Sequence, residues 1–254
     1  MFCLFQLIKN KFFSILLPAV LFCMPLGGAV FSPEWNFDCQ MLEKGRIKRM
    51  TEHFPQGDVV HVFDEKGRKM LRTFPDKNTH KKVEYRMFYD SKDKLARVEC
   101  SIEGKLVFVE KGTYDNDGLL RAVVRYNARN QEEFSTTMLV YEKDNVRLKN
   151  YGIQSADGIV DYYYEYNSKG ELVHIKALLN RKYISGGRYS YDKNGFIVEV
   201  LRFNDNMKNV GILRNEWKVD KVGNWIEKKS SLYKNMRLKP VFTEIVKRTI
   251  QYRR

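Results

Sequence analysis

Histidine is scarce in this 254-residue chain, with four copies at positions 53, 61, 80 and 174. His53 and His61 are close enough to share a hairpin, but two histidines without further ligands make a poor metal site. The phrases of common active sites are absent: no G-x-S-x-G elbow, no H-E-x-x-H, no phosphate-binding glycine loop, no dinucleotide fingerprint. The sequence therefore predicts a non-enzymatic chain with no catalytic residue, no cofactor and no metal. Proline is also sparse at six residues, and no Pro/Ser-rich linker divides the chain. Of four cysteines, Cys3 and Cys23 lie in the N-terminal segment, leaving Cys39 and Cys100. No cysteine spacing resembles a zinc knuckle.

Acidic residues are missing from the first 33 positions. Lys9 and Lys11 precede the apolar run 12–22, and Gly27, Gly28 and Ala29 follow. A positive start, a short apolar stretch and a small-residue cleavage site predict a signal peptide over 1–29. Two alternatives stay open. The run from Phe12 to Phe31 is just long enough for an uncleaved anchor. Cys23 would permit a lipoprotein, although bulky Phe22 precedes it. Each version places the body outside the cytoplasm: periplasmic, at the cell surface or secreted. Beyond residue 31 no long uncharged apolar run occurs, so no further membrane helix is expected. Export permits a Cys39–Cys100 disulfide; two buried, unbonded thiols are the simpler reading.

Charge of one sign is in short supply, with 31 Asp and Glu against 45 Lys and Arg. Removing residues 1–29 takes two lysines and leaves a net charge of +12. A basic exported chain is drawn to anionic surfaces such as lipid headgroups or acidic glycans; export argues against nucleic acid. The basic residues are dispersed, as expected of the solvated faces of strands.

What the sequence has in quantity is one phrase, clearest as Tyr191-Asp192-Lys193-Asn194-Gly195-Phe196-Ile197. An aromatic ends a strand-like run, Asp opens a turn, and Gly three residues later supplies the positive φ of a type I turn with a bulge. The opening residues are Asp64, Asp90, Asp115, Glu142, Asn167, Asp192 and Asp220, separated by 26, 25, 27, 25, 25 and 28 residues. Three positions on stand Gly67, Asp93, Gly118, Asn145, Gly170, Gly195 and Gly223, all residue types that tolerate left-handed backbone. Such a period marks a repeat architecture. The carboxylates of Asp64, Asp90, Asp115 and Asp192 could suggest calcium, but turn capping explains them without an ion.

This pattern resembles the YD repeats of the RHS family, in particular small secreted bacterial YD-repeat proteins without a toxin domain. Gly45-Arg46-Ile47-Lys48-Arg49-Met50-Thr51-Glu52 is similar to their opening strand. Asp220-Lys221-Val222-Gly223-Asn224-Trp225, with Arg248-Thr249-Ile250-Gln251-Tyr252, is similar to their closing hairpin. The resemblance spans about residues 45–252 and implies an all-β repeat fold.

The rest of the chain reads the same way. Lys82-Val83-Glu84-Tyr85-Arg86-Met87-Phe88-Tyr89 alternates with a period of two, as half-buried strands do. A second set of turn signals, such as Glu103-Gly104, Asp157-Gly158 and Asn204-Asp205-Asn206, lies between the Asp-led turns. Each repeat then holds two strands and two turns, giving about sixteen antiparallel strands of about 7–10 residues. We expect a signal peptide (1–29), a lead-in around Trp35 and Phe37 (30–44) and a YD-repeat-like β domain (45–254). That domain is a long antiparallel meander, curled and twisted into a sheet whose apolar side folds over itself. Basic residues such as Lys247-Arg248 and Arg253-Arg254 are expected to shield its ends. Tyr89, Tyr114, Tyr166 and Tyr191 should stack as repeat core, with Tyr163 facing outward. Function reads as an envelope-associated binding or structural scaffold, for an anionic glycan, a membrane surface or an envelope protein. The alternatives are an outer-membrane β-barrel, disfavoured by short turns and the lack of a lipid-facing band, and a hydrolase with an unrecognised site.

Overall fold

The computed structural model describes residues 45–141, 147–155, 158–234 and 239–253. The predicted leader, the lead-in with Cys39, and the turn Glu142–Asn145 lie outside the described residues. Sixteen strands follow one another: β1 (Ile47–Phe54), β2 (Gly57–Phe63), β3 (Lys69–Pro75), β4 (Lys82–Tyr89), β5 (Leu95–Ile102), β6 (Lys105–Tyr114), β7 (Leu120–Asn127) and β8 (Glu132–Tyr141) make the first half. The second half is β9 (Leu148–Ser155), β10 (Gly158–Tyr166), β11 (Leu172–Leu179), β12 (Lys182–Tyr191), β13 (Ile197–Phe203), β14 (Asn209–Val219), β15 (Trp225–Tyr233) and β16 (Phe242–Tyr252). Every strand pairs antiparallel with its chain neighbours, as the meander requires.

The curl goes further than the sequence indicates. β16 pairs with β1, Glu52 opposite Arg248 and Thr51 opposite Thr249, and the sheet closes on itself as a barrel. The two terminal strands satisfy each other's backbone, so the expected basic shielding of free edges gives way to pairing. Around this seam Arg248 donates through Nε to Glu52 at 2.9 Å, and Arg253 N–H donates to the Arg46 carbonyl at 2.7 Å.

The Asp-led turns show why the ring is regular. Asp64 Oδ1 accepts the N–H groups of Lys66 and Arg68 at 2.9 and 2.8 Å, while Gly67, at φ 79°, donates to the Asp64 carbonyl. Asp90 accepts from Lys92 and Lys94, Asn167 from Lys169 and Glu171, and Asp192 from Asn194 and Phe196. Asp115 and Asp220 accept from Leu119 and Asn224 in the same way. Gly118, Gly170, Gly195 and Gly223 take φ between 76° and 93°, and Asp93 takes 62°. One carboxylate or amide oxygen thus holds two backbone donors and sets the reversal.

The motif tyrosine ties successive turns together at four places. Tyr89 donates its hydroxyl to the Lys69 carbonyl, Tyr114 to Leu95, Tyr141 to Leu120 and Tyr191 to Leu172, all between 2.8 and 3.0 Å. The acceptor always stands five residues after the turn opener of the preceding repeat. These tyrosines are only partly buried; they form rungs between repeats as well as packing on the core. The last repeat has Val219 in place of tyrosine, and Trp217 takes over, donating Nε1–H to Ile197 at 2.9 Å. Tyr252 ends the series by donating to the Asp220 carboxylate.

Replacing Tyr114 with Phe keeps the ring and removes one rung. It is expected to lower stability by about 1 kcal/mol, read as a lower urea midpoint with unchanged slope.

Candidate functional site

Strand parity divides the side chains into an inner and an outer set. Inward-facing Met87, Val98 and Val123 are 0–1% exposed and anchor one apolar cluster with Tyr85 and Phe108. A second cluster centres on Tyr151, Tyr164, Leu213 and Leu232, with Tyr151 stacked on Tyr162 at 4.9 Å between ring centres. Charged groups share this interior. Arg125 donates through Nε to Glu110 at 2.9 Å and lies 3.8 Å over the Phe108 ring; Glu110 is 0% exposed. Arg248 lies 3.4 Å over Trp225 while it holds Glu52. Against the raising effect of burial, Arg248 and His61 hold the Glu52 carboxyl well below the usual carboxylate range. An interior filled to this degree is a packed core at these levels, not an aqueous channel.

The two histidines of the first hairpin part company. His53 faces out, with Nδ1 at 2.9 Å from Asp58 and Nε2 at 2.9 Å from Thr249. His61 faces in, buried opposite Arg72, with its nearest carboxylate oxygen on Glu52 at 3.6 Å. Burial, reinforced by Lys69, pushes the His61 imidazole down to about 3. Cys100 is a free buried thiol whose pKa burial pushes up to about 11; its expected alternative partner Cys39 lies outside the described residues. No group of three or more metal-ligating side chains occurs among the described residues.

The outer wall is charged. Lys176 pairs with Glu165, Arg214 with Glu199 at 3.0 Å, Lys229 with Glu216 at 2.8 Å and Lys218 with Glu227 at 2.6 Å. Tyr163, 38% exposed, faces outward as expected. A transmembrane barrel needs an apolar outer band, and each Lys or Arg at its midplane costs about 2–4 kcal/mol. This wall has the opposite arrangement. No helix among the described residues is long and apolar enough to cross a membrane.

The two ends of the barrel differ. Topology gathers all the Asp-led turns at one end, since they follow even-numbered strands. Asp64, Asp90, Asp115, Asn167, Asp192 and Asp220 are committed there to backbone donors, and Asp93 bridges to Lys66 and Arg68 of the preceding turn. In each, one side-chain oxygen caps the backbone of its own turn.

At the opposite end the turns are less uniform. Asn127 and Asn204 repeat the capping geometry, with Asn130 at φ 59° and Met207 at φ 57°. The left-handed region costs a non-glycine residue about 1–2 kcal/mol, and Met207 is 66% exposed. On one half of this end, Asp58, Phe74, Pro75, His80, Lys82 and Glu103 line a shallow groove of about 280 Å³. On the other half, the β9–β10, β11–β12, β13–β14 and β15–β16 hairpins present exposed Ile159, Ile184, Met207, Val210, Val241 and Phe242. Sequence reasoning marked the Asn204 turn but passed over Met207. The signal was available: an apolar residue stands where the other turns of this geometry have Gly, Asp or Asn.

The sequence matches no family model and no curated protein. Among solved structures the chain is similar to a porin-like protein from Bacteroides uniformis ATCC 8492, with 10% identity over 83% of this chain and 98% of that one, at a TM-score of 0.57. That similarity is one of fold. A porin-like protein from Bacteroides vulgatus ATCC 8482 aligns with 12% identity over 82% of this chain and 98% of that one, at a TM-score of 0.36. The TcdB2–TccC3 complex aligns with 12% identity over 76% of this chain but only 15% of that one, at 0.31. The last two superpose too loosely to bear on the architecture.

The buried imidazole makes stability depend on pH. His61 accepts a proton near pH 6.5 when unfolded but only near 3 when folded. Its contribution is fully present above about pH 6.5 and is lost as pH falls toward 3, because the unfolded chain binds the extra proton. Urea midpoints should fall between pH 7 and pH 5, and His61→Phe should flatten that slope. An unchanged slope in the variant would refute the assignment.

Proposed function

We propose that this chain is a non-enzymatic scaffold that works outside the cytoplasm and binds a component of the cell envelope through the barrel end opposite its Asp-led turns. The observation that carries the reading is the distribution of satisfied and unsatisfied surface. The core is packed and its acids are ion-paired; several wall charges are paired across strands; the Asp-led turns are internally capped. Most of the exposed large apolar side chains stand at the remaining end, Leu106 and Val107 among them, against Val140, Val219 and Ile226 at the Asp-led end, and clusters of that kind mark interaction sites. The leader-like sequence of residues 1–29 and the similarity to YD-repeat proteins support an exported location. The absence of catalytic motifs from the sequence supports binding over turnover.

A lipid-embedded barrel is the competing use of a closed sixteen-stranded sheet, and the charged wall argues against it. The mature chain is expected to stay monodisperse without detergent and to sediment with isolated cell envelopes. A strict detergent requirement would overturn the scaffold reading in favour of a membrane-spanning barrel.

A further inference from the structure

The hairpins β9–β10, β11–β12, β13–β14 and β15–β16 are consecutive around the barrel, so the strand ends that flank their turns form one continuous arc. Among the described residues of these turns and strand starts stand Arg181, Lys182, Lys208, Lys234 and Lys239, opposed by Asp205 and Glu244. None of the five cations forms an ion pair with another described residue; Lys176, Arg214, Lys218 and Lys229 of the wall do, while Lys92, Lys193 and Lys221 at the Asp-led end do not. The apolar members of the arc alternate with these cations along the chain: Lys182 with Ile184, Met207 with Lys208 and Val210, Lys239 with Val241 and Phe242.

Resting on the scaffold reading above, we propose that this arc docks end-on to the surface of an anionic membrane. Turn tips spaced by two strands stand about 10 Å apart. The groove at this end belongs to the other half of the ring. Isolated apolar tips flanked by lysines suit a deformable headgroup layer: each tip enters the interface while the lysine stem lies along it and the ammonium meets lipid phosphate. A protein partner would need complementary relief, and the groove at this end lies outside the arc, whose exposed aromatic is Phe242. Met207 sharpens the case. Its backbone is strained and its side chain is largely in water, so the folded chain gains nothing visible from having Met there instead of Gly.

The test is flotation of the full mature chain with phosphatidylcholine vesicles, with and without phosphatidylglycerol. Binding is expected only with the anionic lipid and should weaken as salt rises. The variant Lys182→Gln/Lys208→Gln/Lys239→Gln should weaken it on the order of a hundred-fold, at about five-fold per cation. The equal charge change Lys92→Gln/Lys193→Gln/Lys221→Gln at the other end should have a much smaller effect. Met207→Gly should reduce binding several-fold while raising the urea midpoint, which separates a docking role from a folding defect. Equal loss from both triple variants would overturn end-on docking. Sedimentation with envelopes but no flotation with any vesicle would overturn the lipid assignment and leave a protein or glycan partner for the scaffold. Failure to bind either would overturn both readings.

Discussion

A tyrosine hydroxyl reaching back to the previous repeat is the contact on which the remaining architecture depends. The Asp-led turn alone makes a hairpin, and an isolated hairpin is marginal in water. The rung from Tyr114 to the Leu95 carbonyl, repeated from Tyr89 to Tyr191, fixes how each hairpin sits on the one before it. Equal steps of this kind accumulate twist and curl at a constant rate. Where tyrosine is missing, at Val219, a tryptophan two residues earlier performs the same donation. The substitution shows that the bond, rather than the residue type, is what the geometry needs.

Closure follows from that constancy and decides how charge is distributed. Once β16 meets β1, one face of every strand is enclosed and the other is wet. The enclosed face holds aromatic and aliphatic residues together with Glu52, Glu110, Arg125 and Arg248, the acids held by arginines whose guanidinium planes lie on rings. Removing either partner of such a pair strands a buried charge, a larger loss than the pair's net contribution. On the outer face Lys176, Arg214, Lys218 and Lys229 pair with acids across strands. With one end capped by its own carboxylates, most of the exposed large apolar side chains stand at the other end.

Much of this was legible in the residues. The spacing of Asp64, Asp90, Asp115, Asn167, Asp192 and Asp220 predicts turns at those positions, and period-two alternation around Val83–Tyr89 predicts the strands. Closure was not legible, because no local signal separates a strand that ends a sheet from one that pairs with a strand some 200 positions away in the chain. Parity could have shown the buried charges: His61 lies in phase with Val59 and Phe63, and Arg125 with Val123. Single-residue reasoning reads such positions as solvated, since their neighbours only become neighbours across the closed sheet. The exposed arc was hidden for the same reason, its apolar tips being scattered over about 80 residues of sequence and gathered only by the ring.

The account stands on the joining of the first and last strands. Thr51 and Thr249 are paired residues at that seam, and paired Cα atoms at about 4.5–5.5 Å lie within disulfide range. Thr51→Cys/Thr249→Cys, made with Cys39→Ser, should form an intramolecular disulfide under mild oxidation, seen as a mobility shift reversed by reductant. A double variant that stays reduced while folded, or links only between molecules, would contradict closure of the ring.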